Sequence, residues 1–67
     1  MTKMTDLETY TYWAANYDAI AKREMIGAIT PDDMDRMSRN MQERLGMDKW
    51  TEERWQAAYE AWKGEGA

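Results

Sequence analysis

Three helix-start signals divide this 67-residue chain and leave little length for any other secondary structure. Residues 5–8, Thr-Asp-Leu-Glu, fit the capping box, in which a threonine hydroxyl accepts from the third helical amide and a glutamate reaches back to the cap. Residues 30–33, Thr-Pro-Asp-Asp, place proline at the first helical position and acids in the first turn. Residues 50–53, Trp-Thr-Glu-Glu, place a third threonine cap before two acids. The chain is therefore predicted to be all-α.

Glycines mark where the predicted helices end. Gly27 can adopt the left-handed backbone conformation that closes a helix, and Gly46 and Gly64 stand at the ends of the next two. The helices are predicted to span about residues 6–26, 31–45 and 52–63, which leaves residues 64–67 as a loose C-terminal tail.

Two of the helix starts also carry a hydrophobic staple, in which the residue before the cap packs on the fourth helical residue. The pairs are Ile29 with Met34 and Trp50 with Trp55. Each staple fixes the angle at which the chain enters its helix. We expect a single compact three-helix domain over residues 1–67, with the first helix at its centre.

The first helix is apolar on two sides, whereas the other two helices each have one apolar stripe that is expected to be core. The stripe of the second helix consists of Met34, Met37, Met41 and Leu45. The stripe of the third helix consists of Trp55, Ala58, Tyr59 and Trp62. The main stripe of the first helix consists of Leu7, Tyr10, Trp13, Ala14, Tyr17, Ile20, Ala21 and Met25. A second set, here called the seam, lies nearly opposite and consists of Tyr12, Ala15, Ala19 and Ile26.

A helix that is apolar on two faces is normally covered on both. Either the two shorter helices wrap around the first, or a second long helix packs on the seam. The small side chains of Ala15 and Ala19, flanked by Tyr12 and Ile26, suit close packing of a second helix. We favour this interpretation and predict a homodimer through the seam.

The apolar inventory of the chain is dominated by seven methionines, four tryptophans and four tyrosines, with no phenylalanine. Methionine adapts to irregular shapes, and tryptophan and tyrosine are enriched where one protein binds another. The alternative is that a short chain fills its small core with bulky residues. We predict contacts to a partner protein by six residues, namely Trp13, Tyr17, Ile20, Glu24, Met47 and Trp50.

The sequence contains few of the residue types that usually perform catalysis or bind metal ions. The chain has neither cysteine nor histidine, so a disulfide framework is excluded and zinc would lack its usual ligands. No nucleophile–base pair can be assembled, because Ser38 is the only serine. Glu24 falls within the main stripe and is the candidate for acid–base chemistry, although such a residue more often sits at the rim of a stripe. We expect a protein that is not an enzyme and needs no metal or other cofactor.

The net charge of −4 repels nucleic-acid phosphate and anionic membrane surfaces. Cations available for DNA are Arg36, Arg39, Arg44, Lys49 and Arg54. Arg36 and Arg39 already have acidic neighbours at helical spacing, Arg36 with Asp32 and Arg39 with both Asp35 and Glu43. The sequence contains no apolar run long enough to span a membrane and nothing typical of a signal peptide, so we expect a soluble, cytoplasmic protein that binds no nucleic acid.

Residues 17–46 resemble the SHOCT-type short helical hairpin. That family has a Gly-x-Ile-Thr turn followed by acids and a bulky apolar residue, and residues 27–34 read Gly-Ala-Ile-Thr-Pro-Asp-Asp-Met. Met34 stands where the family favours phenylalanine, and the match covers under half of the chain. The resemblance implies a helical hairpin, and no functional residue is carried over.

Size, acidity and the missing enzymatic equipment are typical of accessory proteins of phages or mobile elements that block host machinery. We therefore expect a small helical protein-binding module that acts as an inhibitor or regulator. The alternative is a small DNA-associated transcriptional regulator, which a basic stripe on one face would favour.

Overall fold

The computed structural model describes residues 4–66, and this part of the chain is helical without a strand. Helix α1 spans Asp6–Met25, α2 spans Pro31–Arg44 and α3 spans Glu52–Gly66. A one-turn 3₁₀ helix, Met47–Lys49, lies between α2 and α3. The predicted three-helix, all-α architecture is confirmed, and the starts of all three helices agree with the prediction.

Reciprocal capping boxes hold the starts of α1 and α2. The Thr5 hydroxyl accepts from the Glu8 amide at 3.1 Å, and the Glu8 carboxylate accepts from the Thr5 amide at 3.1 Å. Thr30 and Asp33 make the same exchange at 3.1 and 3.3 Å. The backbone amides of Thr5 and Thr30, and to a smaller extent their side chains, hold the pKa values of Glu8 and Asp33 below their ordinary range.

Helix α3 begins with a simpler cap, in which the Thr51 hydroxyl accepts from the Arg54 amide at 3.2 Å. Replacing Thr51 by Ala leaves that amide without its acceptor and is expected to lower the free energy of unfolding by about 0.5–2 kcal/mol. Thr51→Ser keeps the hydroxyl and should retain most of the stability. Urea titration followed by circular dichroism measures both variants, and equal losses from Ala and Ser would contradict the capping role.

Gly27 and Gly46 end the first two helices with φ of 78° and 74°, in the left-handed region that favours glycine. The third expected stop is wrong, because α3 continues through Gly64 to Gly66. A glycine inside a helix costs about 1 kcal/mol relative to alanine, which weakens a helix without ending it. Without a left-handed backbone at Gly64, the last turns stay helical. The final position of the predicted tail, Ala67, lies outside the described residues.

Helix α1 is central, because α2 and α3 each pack against α1 and have no close backbone approach to one another within residues 4–66. The buried centre is formed by Tyr10 of α1, Met47 of the 3₁₀ turn and Ala58 of α3. Half-buried apolar side chains surround it, namely Trp13, Ala14, Leu45, Trp50, Trp55 and Trp62. The core thus lies mainly between α1, α3 and the connection that leads into α3.

The aromatic ring of Tyr10 organises the contact between α1 and α3. Its centroid lies 5.5 Å from Trp62, 5.6 Å from Trp13 and 6.0 Å from Trp55, at tilted or edge-on angles. Such geometries are favourable for aromatic pairs beyond the area that they bury. Burial, with a smaller contribution from nearby Tyr59, raises the pKa of the Tyr10 hydroxyl.

A bidentate ion pair connects the start of α3 to the start of α1. The Arg54 guanidinium donates to both carboxylate oxygens of Asp6, at 2.9 and 2.8 Å, which holds the pKa of Asp6 below its ordinary range. The same guanidinium lies 4.5 Å over the ring of Trp50. Trp50 in turn packs edge-on against Trp55 at 5.4 Å, so the predicted staple of α3 is confirmed.

The packing of α2 includes a residue that sequence patterning missed. Ser38 is buried, whereas Met34, Met37 and Met41 are only half-buried. The small side chain of Ser38 lies beside Trp13 and Tyr17 of α1, and a small residue lets a neighbouring helix approach closely. Hydrophobicity alone carries no signal for such a position.

Candidate protein-binding surface

Two neighbouring aromatic rings on α1, those of Trp13 and Tyr17, form a feature here called the ridge. They stand one helical turn apart, with centroids 5.2 Å apart and planes tilted by 30°. Trp13 is half-buried against the core, and its buried indole N–H has no acceptor within residues 4–66. Tyr17 is 37% exposed although it belongs to the main stripe. An inward-facing stripe therefore reaches the surface at Tyr17.

On one side of the ridge lies an open groove of about 740 Å³ between α1 and the end of α3. Among the described residues of α3, only Trp62 lines it, and α1 contributes the small side chains of Ala14, Ala15 and Ala21. Thr11 and Asp18 form its polar edge. The groove exists because α3 covers only the first half of the main stripe.

On the other side of the ridge lies a depression of about 500 Å³ between α1 and α2. Its residues are Trp13, Tyr17, Pro31, Met34, Asp35, Ser38 and Gln42. Trp13 and Tyr17 line both hollows, so the ridge separates them. Volumes of this size fall within the range of about 300–1,000 Å³ typical of ligand clefts.

Of the six predicted partner contacts, three share the ridge face of α1. Trp13 and Tyr17 form the ridge, and Glu24 is half-buried two helical turns beyond Tyr17 on the same side. Within residues 4–66 the Glu24 carboxylate takes part in none of the ion pairs. These three positions remain candidates for partner contact.

The other three positions lie elsewhere. Met47 is 0% exposed, so it cannot contact a partner from this position and that prediction is wrong; the 3₁₀ turn directs it into the core. Ile20 of α1 is also buried, so the prediction that it contacts a partner is wrong as well. Trp50 is half-buried under Arg54 and packs on the core cluster, away from the ridge.

The seam faces solvent along its whole length. Tyr12 is 52% and Ile26 80% exposed, and Ala15 and Ala19 are exposed between them. The alternative in which α2 and α3 wrap both sides of α1 is therefore wrong. Met25, expected in the core stripe, is 79% exposed because it lies at the end of α1, where the chain turns into α2.

Several of the cations considered for DNA are paired with carboxylates. Arg39 pairs with Asp35 at 3.3 Å, as the spacing predicts, and Arg54 pairs with Asp6. Arg36 pairs with Asp33, three residues earlier, rather than with Asp32 as expected. On α1, Lys22 and Asp18 form a further pair at 3.1 Å. In each pair the neighbouring carboxylate offsets the positive charge of the cation, so the local potential is less positive than the cations alone imply.

Within residues 4–66, no group of three or more carboxylate, histidine or cysteine side chains is placed to hold a metal ion. None of the helices in that range combines the length and apolar character required to cross a membrane.

No protein-family model matches this chain, and no curated protein or solved structure proved significantly similar to it. The α1–α2 hairpin is present, but kinship with the SHOCT-type hairpin stays a prediction.

Proposed function

We propose that this protein is a binding module that grips a partner protein with the ridge of Trp13 and Tyr17 and the two hollows beside it. The observation that carries the proposal is the exposure of Tyr17 between two open apolar hollows. Tyrosine and tryptophan anchors in such settings supply a large share of binding energy at protein interfaces. Glu24 extends the same face with a carboxylate and contributes to specificity.

The module acts as an inhibitor or regulator of its partner, of the kind that phages and mobile elements encode. Its small size and acidic charge support this proposal, because such a chain can cover a functional surface without chemistry of its own. The ion pairs of Arg36, Arg39 and Arg54 weigh against the DNA-associated alternative, since paired cations contribute less to phosphate binding.

The module is also proposed to be a homodimer through the seam of Tyr12, Ala15, Ala19 and Ile26. The exposure of all four side chains supports the proposal, since exposed apolar groups on one face of a small protein can mark an interaction site. Ridge and seam lie on nearly opposite sides of α1, and Ala15 of the seam also lines the groove beside the ridge.

Partner binding is tested by comparing Tyr17 with Tyr59, whose side chains are exposed to nearly the same extent. Affinity capture from a lysate of the native cells, followed by mass spectrometry, identifies the partner. Tyr17→Ala is then expected to weaken binding at least about tenfold in calorimetry, because an anchor of roughly 1.4 kcal/mol or more is lost. Tyr59→Ala is the matched control, because Tyr59 is 38% exposed but lines neither hollow.

Circular dichroism checks that both variants keep their helicity. Equal affinities of the two variants would contradict a role for the ridge. A steep salt dependence together with loss of binding in Arg36 or Arg39 charge reversals would instead point to nucleic acid.

A further inference from the structure

The groove between α1 and the end of α3 follows the axis of α1. Its lining on α1 spans residues 10–21, which is about 16 Å along the helix axis, or about three helical turns. The large rings of the ridge and of Trp62 and the small side chains of Ala14 and Ala21 line the same groove. Large and small side chains along one helix form the ridges and grooves into which the side chains of another helix pack.

Backbone hydrogen bonding limits the kind of segment that can lie in this groove. An extended peptide gains much of its affinity by adding a strand to the edge of a sheet, and residues 4–66 contain no strand. The backbone of α1 is already hydrogen-bonded within its own helix. An incoming helix satisfies its own amides and carbonyls internally and needs only an apolar stripe to bind. The groove therefore fits a helix better than an extended segment.

The charge on this face of α1 that lacks a counterion is Glu24. It lies about 10.5 Å from Tyr17 along the helix axis, on the same side, and is half-buried. The two carboxylates that line the hollows, Asp18 and Asp35, each pair with a cation of their own helix, whereas Glu24 takes part in none of the ion pairs within residues 4–66. A half-buried carboxylate loses part of its hydration, and a cation supplied by a partner offsets that loss.

We infer that the partner presents an amphipathic helix to the groove, with an apolar stripe that packs beside the ridge and an arginine or lysine that pairs with Glu24. The inference rests on the proposed function and names the chemistry of the segment that the partner contributes. On a helix aligned with α1, in either direction, the cation lies about two turns from the apolar residue that meets Tyr17, because both helices have the same rise per residue. Arginine suits this position best, because its planar guanidinium can donate two hydrogen bonds to one carboxylate.

The cation gives the contact its selectivity. An apolar stripe alone would pack in many aromatic grooves, whereas an acidic residue opposite Glu24 would place two like charges in contact. The net charge of −4 acts in the same direction over longer distances, because it attracts cationic segments and repels acidic ones.

Two synthetic peptides test the inference on the full chain. Each is about 15 residues long, is held in a helix by a covalent link between side chains, and carries the same stripe of leucines at helical spacing. One peptide has arginine about two turns before and about two turns after its central leucine, so that either orientation offers a cation to Glu24. The other has glutamate at both places. Calorimetry measures the affinities, and amide shifts in NMR spectra locate the contact.

The arginine peptide is expected to bind at least about fivefold more tightly than the glutamate peptide. Glu24→Gln should bring the two affinities close together. Glu60→Gln is the matched control and should keep the difference, because it removes the same charge from the exposed outer side of α3. Tyr17→Ala should weaken the binding of both peptides, and the amide shifts should concentrate in residues 14–24. Circular dichroism checks that the variants stay helical.

Two outcomes would overturn the cation and leave the ridge proposal standing. The first is that Glu24→Gln and Glu60→Gln reduce the difference equally, which would show an effect of net charge alone. The second is that the two peptides bind equally well and both bind less tightly to Tyr17→Ala.

Two further outcomes would overturn the helical partner. If neither peptide binds at millimolar concentration, a helix does not occupy the groove, whereas the effect of Tyr17→Ala on the partner captured from native cells still decides the ridge proposal. If light scattering shows a dimer that the arginine peptide dissociates, a second copy of this chain occupies the groove instead.

Discussion

Met47→Ala is expected to lower the melting temperature by more than about 10 °C, or to abolish the cooperative transition. Met47 is the largest fully buried side chain among the described residues and stands at the meeting point of α1, α3 and the connection between α2 and α3. Removing a buried methionine side chain costs about 2–5 kcal/mol, and a domain this small rarely has more than about 3–5 kcal/mol in total. Each kcal/mol shifts the melting temperature by roughly 4–8 °C at this size.

Met25→Ala is the matched control for this prediction. Met25 is the same residue type and is 79% exposed, so its loss should change the melting curve little. Thermal denaturation followed by circular dichroism compares the two variants at equal concentration. If both variants melt like the unmodified protein, Met47 does not hold the core together and the connection between α2 and α3 is not part of it.

The second large effect is expected for Trp55→Ala, at about 3 kcal/mol or more. Trp55 packs at 5.4 Å against both Trp13 and Trp50, and at 6.0 Å against Tyr10. Truncation of a core tryptophan costs about 3–5 kcal/mol, and half-burial places Trp55 toward the lower end of that range. The loss should also separate Trp13 from α3 and so disturb the ridge.

Trp55→Phe is the comparison variant, because it reduces the volume of the side chain but keeps an aromatic ring. A phenylalanine keeps edge-on contact with the neighbouring rings, so its destabilisation should be clearly smaller than that of alanine. Chemical denaturation monitored by circular dichroism gives both free energies. An alanine variant with an unchanged transition would mean that Trp55 is a surface residue.

The starts of the helices could be predicted because their signals are local. A threonine hydroxyl and a carboxylate three residues later, as in Thr5 and Glu8, satisfy backbone amides whatever the rest of the chain does. The left-handed ends at Gly27 and Gly46 are equally local. Gly64 misled the prediction because glycine only permits a stop and does not impose one.

Burial was harder to predict than helix position, because it depends on where three helices cross. Met47 lies between the predicted second and third helices and was predicted to contact a partner, although a one-turn 3₁₀ helix turns it inward. Ser38 carried no apolar signal at all, and Met25 continued a stripe beyond the point where any neighbouring helix covers it. Periodicity identifies a face of a helix and cannot tell how far along that face a partner helix extends.

Only part of the candidate surface could be predicted, because its shape also depends on how far the neighbouring helices extend. The aromatic character of Trp13 and Tyr17 is visible in the sequence, and so is the second apolar face of α1. The two hollows beside the ridge are not, since they depend on the short reach of α3 and on the gap that α2 leaves. Ala14 and Ala21 acquire a role only once Trp62 stands at the end of their groove.

The two interhelical connections differ in their tolerance of evolutionary change. The turn between α1 and α2 carries exposed side chains, so extra residues beside Gly27 would extend into solvent and leave the helices in place. The connection between α2 and α3 holds Met47 in the buried core. A change in the length of this connection would move the Met47 side chain out of the core. Homologous chains should therefore vary in length at the first turn and keep the second constant, and a grafted peptide should be accepted at the first turn only.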